Sequence, residues 1–302
     1  MVLKSKSEPV IQGIYQDGKK LKSNEGIITF SAPSEEIKFD LIKLITPYPD
    51  IPIIKLKTTE ENILSITFHV ENLFSQEDAK SKLFPILEIL LNLLVYLTRR
   101  PIGEPYFQAA TLPLPIGKKS INGLQLKGSH MIMFSSEPRT TRFFGGKLTP
   151  GPEFVKKLEN HFQKSIFGNI CFKMYRLAVN QQDTLGKFML LYSVMLQLTK
   201  NELQDEVDKL ILNIEPNVKQ TPKPPKLKKR SKVNPNETIF TRLRNEIAHR
   251  RANVDIKNTS EEIKKNINDL DLIVIKILGR YGSEKKLLYI SGSSRQSYNL
   301  VG

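Results

Sequence analysis

The stretch Glu237-Thr238-Ile239-Phe240-Thr241-Arg242-Leu243-Arg244-Asn245-Glu246-Ile247-Ala248-His249 reads as one amphipathic helix, with Asn236 placed to cap it. At about 100° per residue, Ile239, Phe240, Leu243 and Ile247 share a core face. Asn245 and His249 stand one turn apart and project from nearly the opposite side. Arg244 lies at the boundary, about 140° from His249, with a side chain long enough to reach round. A histidine serving the core would sit on the apolar face, and His249 does not. The bland alternative is a solvated polar face carrying an incidental histidine.

Helical periodicity surrounds this segment. Glu153–Phe167 and Cys171–Val179 are two candidate helices. Asp183 or Thr184 opens a third, with Leu185, Phe188, Met189, Tyr192, Met195, Leu196 and Thr199 in a stripe, running on or bending into 201–213. Downstream, Thr259 with Glu262 reads as a capping box, followed by Ile263, Ile267, Leu270, Val274 and Ile277. Gly279 and Gly282 close that helix. Four or five such helices make a bundle. Between them, residues 216–236 hold five prolines, seven Lys/Arg and no acid, which predicts an exposed, mobile basic loop.

Residues 1–148 read differently. Gly26–Phe30, Ile37–Ile45, Ile51–Lys57 and Ile63–Val70 are Ile-, Phe- and Thr-rich pieces separated by turn signals. Ser75 has the look of a cap for a helix to about Thr98, with Pro85 as a kink or a reason for a later start. Strand-like pieces resume at 106–112, 124–127 and 131–135. The fold class is therefore α+β. A mostly antiparallel sheet domain with a helix (1–148) precedes an all-α bundle (149–282) and a C-terminal tail (283–302), the domains meeting at Gly145-Gly146 and Pro150-Gly151-Pro152. The first domain carries no phosphate loop, paired metal-ligand histidines or nucleophile elbow, and His69 and His130 are isolated.

Charge is unevenly placed. Of the formal net charge of +15, residues 1–150 carry +4 (19 Lys/Arg, 15 Asp/Glu) and residues 151–302 carry +11 (27 and 16). A basic excess confined to one half points to a polyanion as partner for that half. One cysteine, Cys171, allows no intrachain disulfide, and the N-terminus has no signal-peptide core. The greasiest run, Leu83–Leu97, falls short of the roughly 20 residues of a spanning helix. A cytoplasmic protein without membrane attachment is expected. His161 and Cys171 have no common ligand spacing, and neither metal nor cofactor is implied.

Arg244-Asn245-Glu246-Ile247-Ala248-His249 resembles the R-N-x-x-x-H form of the R-x(4–6)-H motif of HEPN domains, and Leu190–Leu196 with the closing helix resembles the Apea-like or MauJ-like subgroup. The likeness covers about 130 residues, all in the second half. Relatives commonly carry a glutamate near Leu196-Gln197, where this chain has no acid. The resemblance implies metal-independent cleavage of single-stranded RNA through attack of the ribose 2′-OH on the adjacent phosphate. His249 would move protons, Arg244 would stabilise the phosphorane, and Asn245 would orient the histidine or donate to a phosphate oxygen. It also implies a homodimer through the Arg244–His249 helix, and a toxin or antiphage-defence role. Lys226, Lys228, Lys229, Arg230, Lys232, Arg250 and Arg251 would guide the RNA backbone, while the first domain would sense, bind a partner or restrain the nuclease. The alternative is a non-catalytic HEPN module that dimerises and binds RNA or a nucleotide. The intact Arg-Asn-His set favours the enzyme; the missing acid favours the module.

Overall fold

The computed structural model describes residues 15–16, 19–20, 25–34, 36–71, 76–111, 148–163, 165–199, 203–224, 235–249 and 255–283. The fold is α+β. Two-residue strands β1 (Tyr15–Gln16) and β2 (Lys19–Lys20) pair with each other. The main sheet holds β3 (Glu25–Pro33), β4 (Ile42–Ile45), β5 (Ile53–Thr58), β6 (Ile63–Glu71) and β7 (Tyr106–Thr111), in the order β4-β5-β6-β3-β7, all antiparallel.

The period of two in these strands decides which side is core. Ile28, Phe30 and Ala32 lie opposite Phe68, Ile66 and Leu64, and all six are fully buried. The partners on the other face include Thr29–Thr67 and Ser31–Ser65. The Phe30 ring meets Phe68, Phe84 and Phe107 edge-on at 5.7–5.8 Å, a geometry worth about 0.5–1.5 kcal/mol per pair beyond the buried area. Of the expected second strand only Ile42–Ile45 is regular; Ile37 makes a single parallel bridge with Leu148. The expected pieces at 124–127 and 131–135, and the Gly145-Gly146 link, lie outside the described residues.

Helix α1 (Gln76–Thr98) runs through Pro85 and stops at Arg99, whose positive φ of 56° turns the chain into the left-handed region. Its segment Ser81–Thr98 is long and apolar enough to cross a membrane, against the shorter run expected from sequence. Yet Leu83, Leu87, Leu90, Leu91, Leu93, Leu94 and Val95 are all fully buried, which accounts for the apolarity of a core helix.

The chain divides into two compact units, one of Met1–Leu90 with Arg100–Lys164 and one of Leu91–Arg99 with Ser165–Gly302. This differs from a boundary at residue 148 in two ways. Helix α2 (Pro152–Phe162) groups with the sheet, Phe154 reaching Phe39 and Phe162 reaching Tyr48. The end of α1 groups with the helices, Asn92 donating to the Phe167 carbonyl and Tyr96 contacting Phe172. The single helix expected over 153–167 is instead α2 followed by a 3-10 turn at Ser165–Gly168.

The second unit is built on α3 (Ile170–Asn180), α4 (Thr184–Leu198), α5 (Gln204–Ile214), α6 (Ile239–His249) and α7 (Ile256–Ser283). Asn169 caps α3 through Cys171 N–H at 2.9 Å, and Asp183 caps α4 through Gly186 N–H at 2.6 Å. Helix α4 packs on α3 and α7, and α7 also receives α5 and α6. Two expectations about α7 are corrected. Thr259 is not its cap: the helix starts three residues earlier, with the Asp255 carboxylate accepting from Lys257 N–H at 2.9 Å. Gly279 does not end it either. The helix continues to Ser283, and a Cβ at Gly279 would come within 3.0 Å of the Tyr96 hydroxyl, so the glycine serves a close approach.

Candidate functional site

The ends of the basic segment are ordered, contrary to the fully exposed loop expected over 216–236. Strand β8 (Gln220–Pro222) pairs antiparallel with β9 (Asn236–Thr238), and Lys223 N–H donates to the Pro235 carbonyl at 2.9 Å. The Lys223 side chain is buried and meets Asp205 at 2.5 Å. Lys226, Lys228, Lys229, Arg230, Lys232, Arg250 and Arg251 lie outside the described residues.

Because β9 runs directly into α6, the helix starts at Ile239, and Asn236 is a strand residue rather than a cap. Ile239, Phe240 and Leu243 form the core face as expected, whereas Ile247 is half-exposed. The opposite side is buried in part: Asn245 is 2% exposed and Thr241 1%, while Ala248 is exposed, and Glu246, nearer the core face, is 8% exposed. The periodicity of α6 shows where apolar packing ends; it cannot show that α5 and β9 bring polar groups onto the remaining face. His249 is the last residue of α6, one turn beyond Asn245, and its side chain lies outside the described residues.

Three polar groupings surround α6. Glu246 accepts from Arg242 at 2.7 Å and from the Thr259 hydroxyl at 2.9 Å, and Arg242 also pairs with Glu262 at 2.5 Å. Thus Glu262 ties α7 to α6 instead of completing a capping box. In the second grouping, Asp208 of α5 accepts at Oδ1 from Thr238 N–H (3.1 Å), the Thr238 hydroxyl (2.6 Å) and the Thr241 hydroxyl (2.6 Å). Its buried Oδ2 has no hydrogen-bond partner among the described residues, and burial raises its pKa above the usual carboxylate value. The Thr241 hydroxyl also meets Tyr192 Oη at 2.9 Å, and burial likewise raises the Tyr192 phenol.

The third grouping holds Arg244 and Asn245 of the motif. Asn245 and Gln204 exchange two amide hydrogen bonds of 2.8 and 2.9 Å. Asn245 Nδ2 also donates to Glu237 Oε2 at 3.3 Å, and Arg244 Nη1 donates to Asn245 Oδ1 at 3.2 Å. Arg244 is half-exposed, and its guanidinium stands 6.0 Å from the centre of the Tyr192 ring, within cation–π range. Carboxylates therefore reach the motif's surroundings from Glu237 and Asp208, although α4 has none near Leu196. Sequence reading missed Gln204, Glu237 and Asp208. The adjacency of Glu237 to the motif was visible, but the α5 partners become neighbours only through tertiary packing.

Among the described residues no group of three or more His, Cys, Asp or Glu could hold a metal ion. His161 and Cys171 fall on α2 and α3, in different units, and burial pushes the Cys171 thiol up to about 11, away from a reactive thiolate. A groove of about 370 Å³ opens near the first turn of α6, lined by Ile239, Phe240, Leu272 and Lys276 among others, and no motif residue lines it.

Comparison of the chain with family models, curated proteins and solved structures yields no match.

Proposed function

We propose that the protein is a metal-independent endoribonuclease acting on single-stranded RNA through the Arg244–His249 segment. The observation that carries this reading is Arg244 itself. Arg244 is half-exposed, and its guanidinium is held by the Asn245 amide and the Tyr192 ring, five residues before a histidine on the same helix. A guanidinium fork matches phosphate oxygens, and imidazole is the side chain whose ordinary pKa suits proton transfer near neutrality. In the reaction the 2′-oxygen loses its proton and attacks phosphorus. The P–O5′ bond breaks, the 5′-oxygen takes a proton, and a 2′,3′-cyclic phosphate remains. Arg244 stabilises the charge of the phosphorane, and His249 moves one of the protons.

One histidine does not supply both transfers. A homodimer with a two-fold axis near α6 would bring a second set, which the HEPN resemblance also implies. The protein should then run as a dimer in light scattering at micromolar concentration; a monomer that cleaves RNA would exclude the shared cleft. In this reading the cytoplasm is the setting, toxicity or phage defence is the role, and the sheet unit senses, binds a partner or restrains the nuclease. The basic residues of 226–232 with Arg250 and Arg251 guide the RNA backbone. Replacing Lys226, Lys228, Lys229 and Arg230 with serine should weaken RNA binding and flatten its salt dependence, with thermal stability nearly constant. Affinity that is unchanged at low and high salt would leave the segment without an RNA role.

The test of the reaction is incubation of the full chain with mixed RNA in EDTA, followed by end-group analysis. Fragments ending in 2′,3′-cyclic phosphate and 5′-OH are expected. The second reading, a non-catalytic module that dimerises and binds RNA or a nucleotide, is favoured by one observation: protein groups, not solvent, surround the Asn245 amide. RNA binding without cleavage in that assay would select it.

A further inference from the structure

We infer that Gln204 and Glu237 are positioning residues that fix the Asn245 amide and, through it, the Arg244 guanidinium; the role this serves in RNA cleavage rests on the proposed function. The argument starts from what each neighbour can do. A guanidinium only donates, so the Asn245 atom facing Arg244 Nη1 must be Oδ1. A carboxylate only accepts, so the atom facing Glu237 Oε2 must be Nδ2. Two charged groups on opposite sides thus select one of the two amide orientations. Gln204 then reads that orientation with a complementary amide, donating to Oδ1 and accepting from Nδ2.

Asn245 has two acceptor and two donor positions, and these four bonds use all of them. It therefore has no donor left for a phosphate oxygen. The assignment of Asn245 as a direct ligand of substrate gives way to a positioning role, and phosphate contact falls to Arg244. The three anchoring residues come from α5, β9 and α6, so the guanidinium is referred to a rigid frame rather than to its own helix alone. A misplacement of about 1 Å can cost about a hundredfold in rate, so such a frame matters where a transition state is bound.

The test uses the full chain with Gln204→Met, which keeps length and removes both amide bonds, and with Gln204→Met/Glu237→Gln. The first readout needs no RNA: the rate at which phenylglyoxal modifies Arg244, followed by peptide mass spectrometry. We expect at least threefold faster modification in the single variant and more in the double. In RNA cleavage kcat should fall about tenfold to a hundredfold, with KM within about threefold. Parent-like modification of Arg244 in the single variant overturns the inference. Gln204 is half-buried at the start of α5, so this variant decides the matter even if the double loses its cooperative melt. Faster modification with no RNA cleavage by the parent would uphold the positioning role and reject the nuclease. Parent-like modification with an active parent would do the reverse.

Discussion

Replacing Arg244 with alanine should lower RNA cleavage by about 10²- to 10³-fold, the usual loss for one preorganised donor to a transition-state oxyanion. His249→Ala should lose about 10²- to 10⁴-fold as a proton-transfer group is removed. The contacts that the Arg244 variant gives up include the 3.2 Å hydrogen bond to Asn245 and the place over Tyr192, each on the order of 1 kcal/mol, so the protein should stay folded. Arg244→Lys restores the charge but not the planar fork, and should recover little of the rate. Single-turnover cleavage, run beside thermal melts, separates chemistry from unfolding. A folded Arg244→Ala protein that cleaves like its parent would remove Arg244 from the chemistry.

The sheet and the main helices were legible because burial repeats with a short period. Ile28, Phe30 and Ala32 alternate with polar neighbours, and Ile263, Leu270, Val274 and Ile277 recur at helical spacing; all seven are buried as their patterns require. Helix ends were less legible. Thr259 followed by Glu262 satisfies the capping pattern, yet Asp255 takes the cap while both residues turn to α6, Thr259 through Glu246 and Glu262 through Arg242. Local chemistry offered two uses for those side chains, and tertiary partners chose the other one.

The site was half legible for a related reason. Hydrophobic periodicity locates the core face of α6 but assumes that polar residues face water. Asn245, Thr241 and Glu246 are polar and buried, each answered by hydrogen bonds from other segments. Nothing local to residues 237–249 announces Gln204 or Asp208, which lie 41 and 33 residues upstream of their respective partners, Asn245 and Thr241. The basic composition of 216–236 likewise concealed the β8–β9 pairing. A three-residue ladder has too little sequence to show a period.

Asp208→Ala should be the most destabilising change near the site, at about 2–4 kcal/mol. Asp208 is 2% exposed, and its Oδ1 accepts three hydrogen bonds. After truncation the Thr241 hydroxyl still has Tyr192 and Thr238 within reach, at 2.9 and 3.3 Å. The Thr238 N–H loses the acceptor it has now and stays buried, and an orphaned buried donor carries most of the cost. Asp208→Asn behaves differently, since its carbonyl can keep the three donors. It also removes a titration. Because burial holds the Asp208 pKa above its unfolded value, the folded chain keeps this proton to higher pH than the unfolded chain does. This contribution is therefore lost as pH rises from the ordinary carboxylate value through the elevated one, and stays lost above it. The melting temperature of Asp208→Asn relative to the parent should rise across the same window and then level off. Paired thermal melts between about pH 4 and pH 8 measure this, the window following from an ordinary carboxylate pKa near 4. A difference that stays flat, or that falls with rising pH, would mean that Asp208 titrates no higher in the fold than out of it. Its buried Oδ2 would then need a donor that the described residues do not provide.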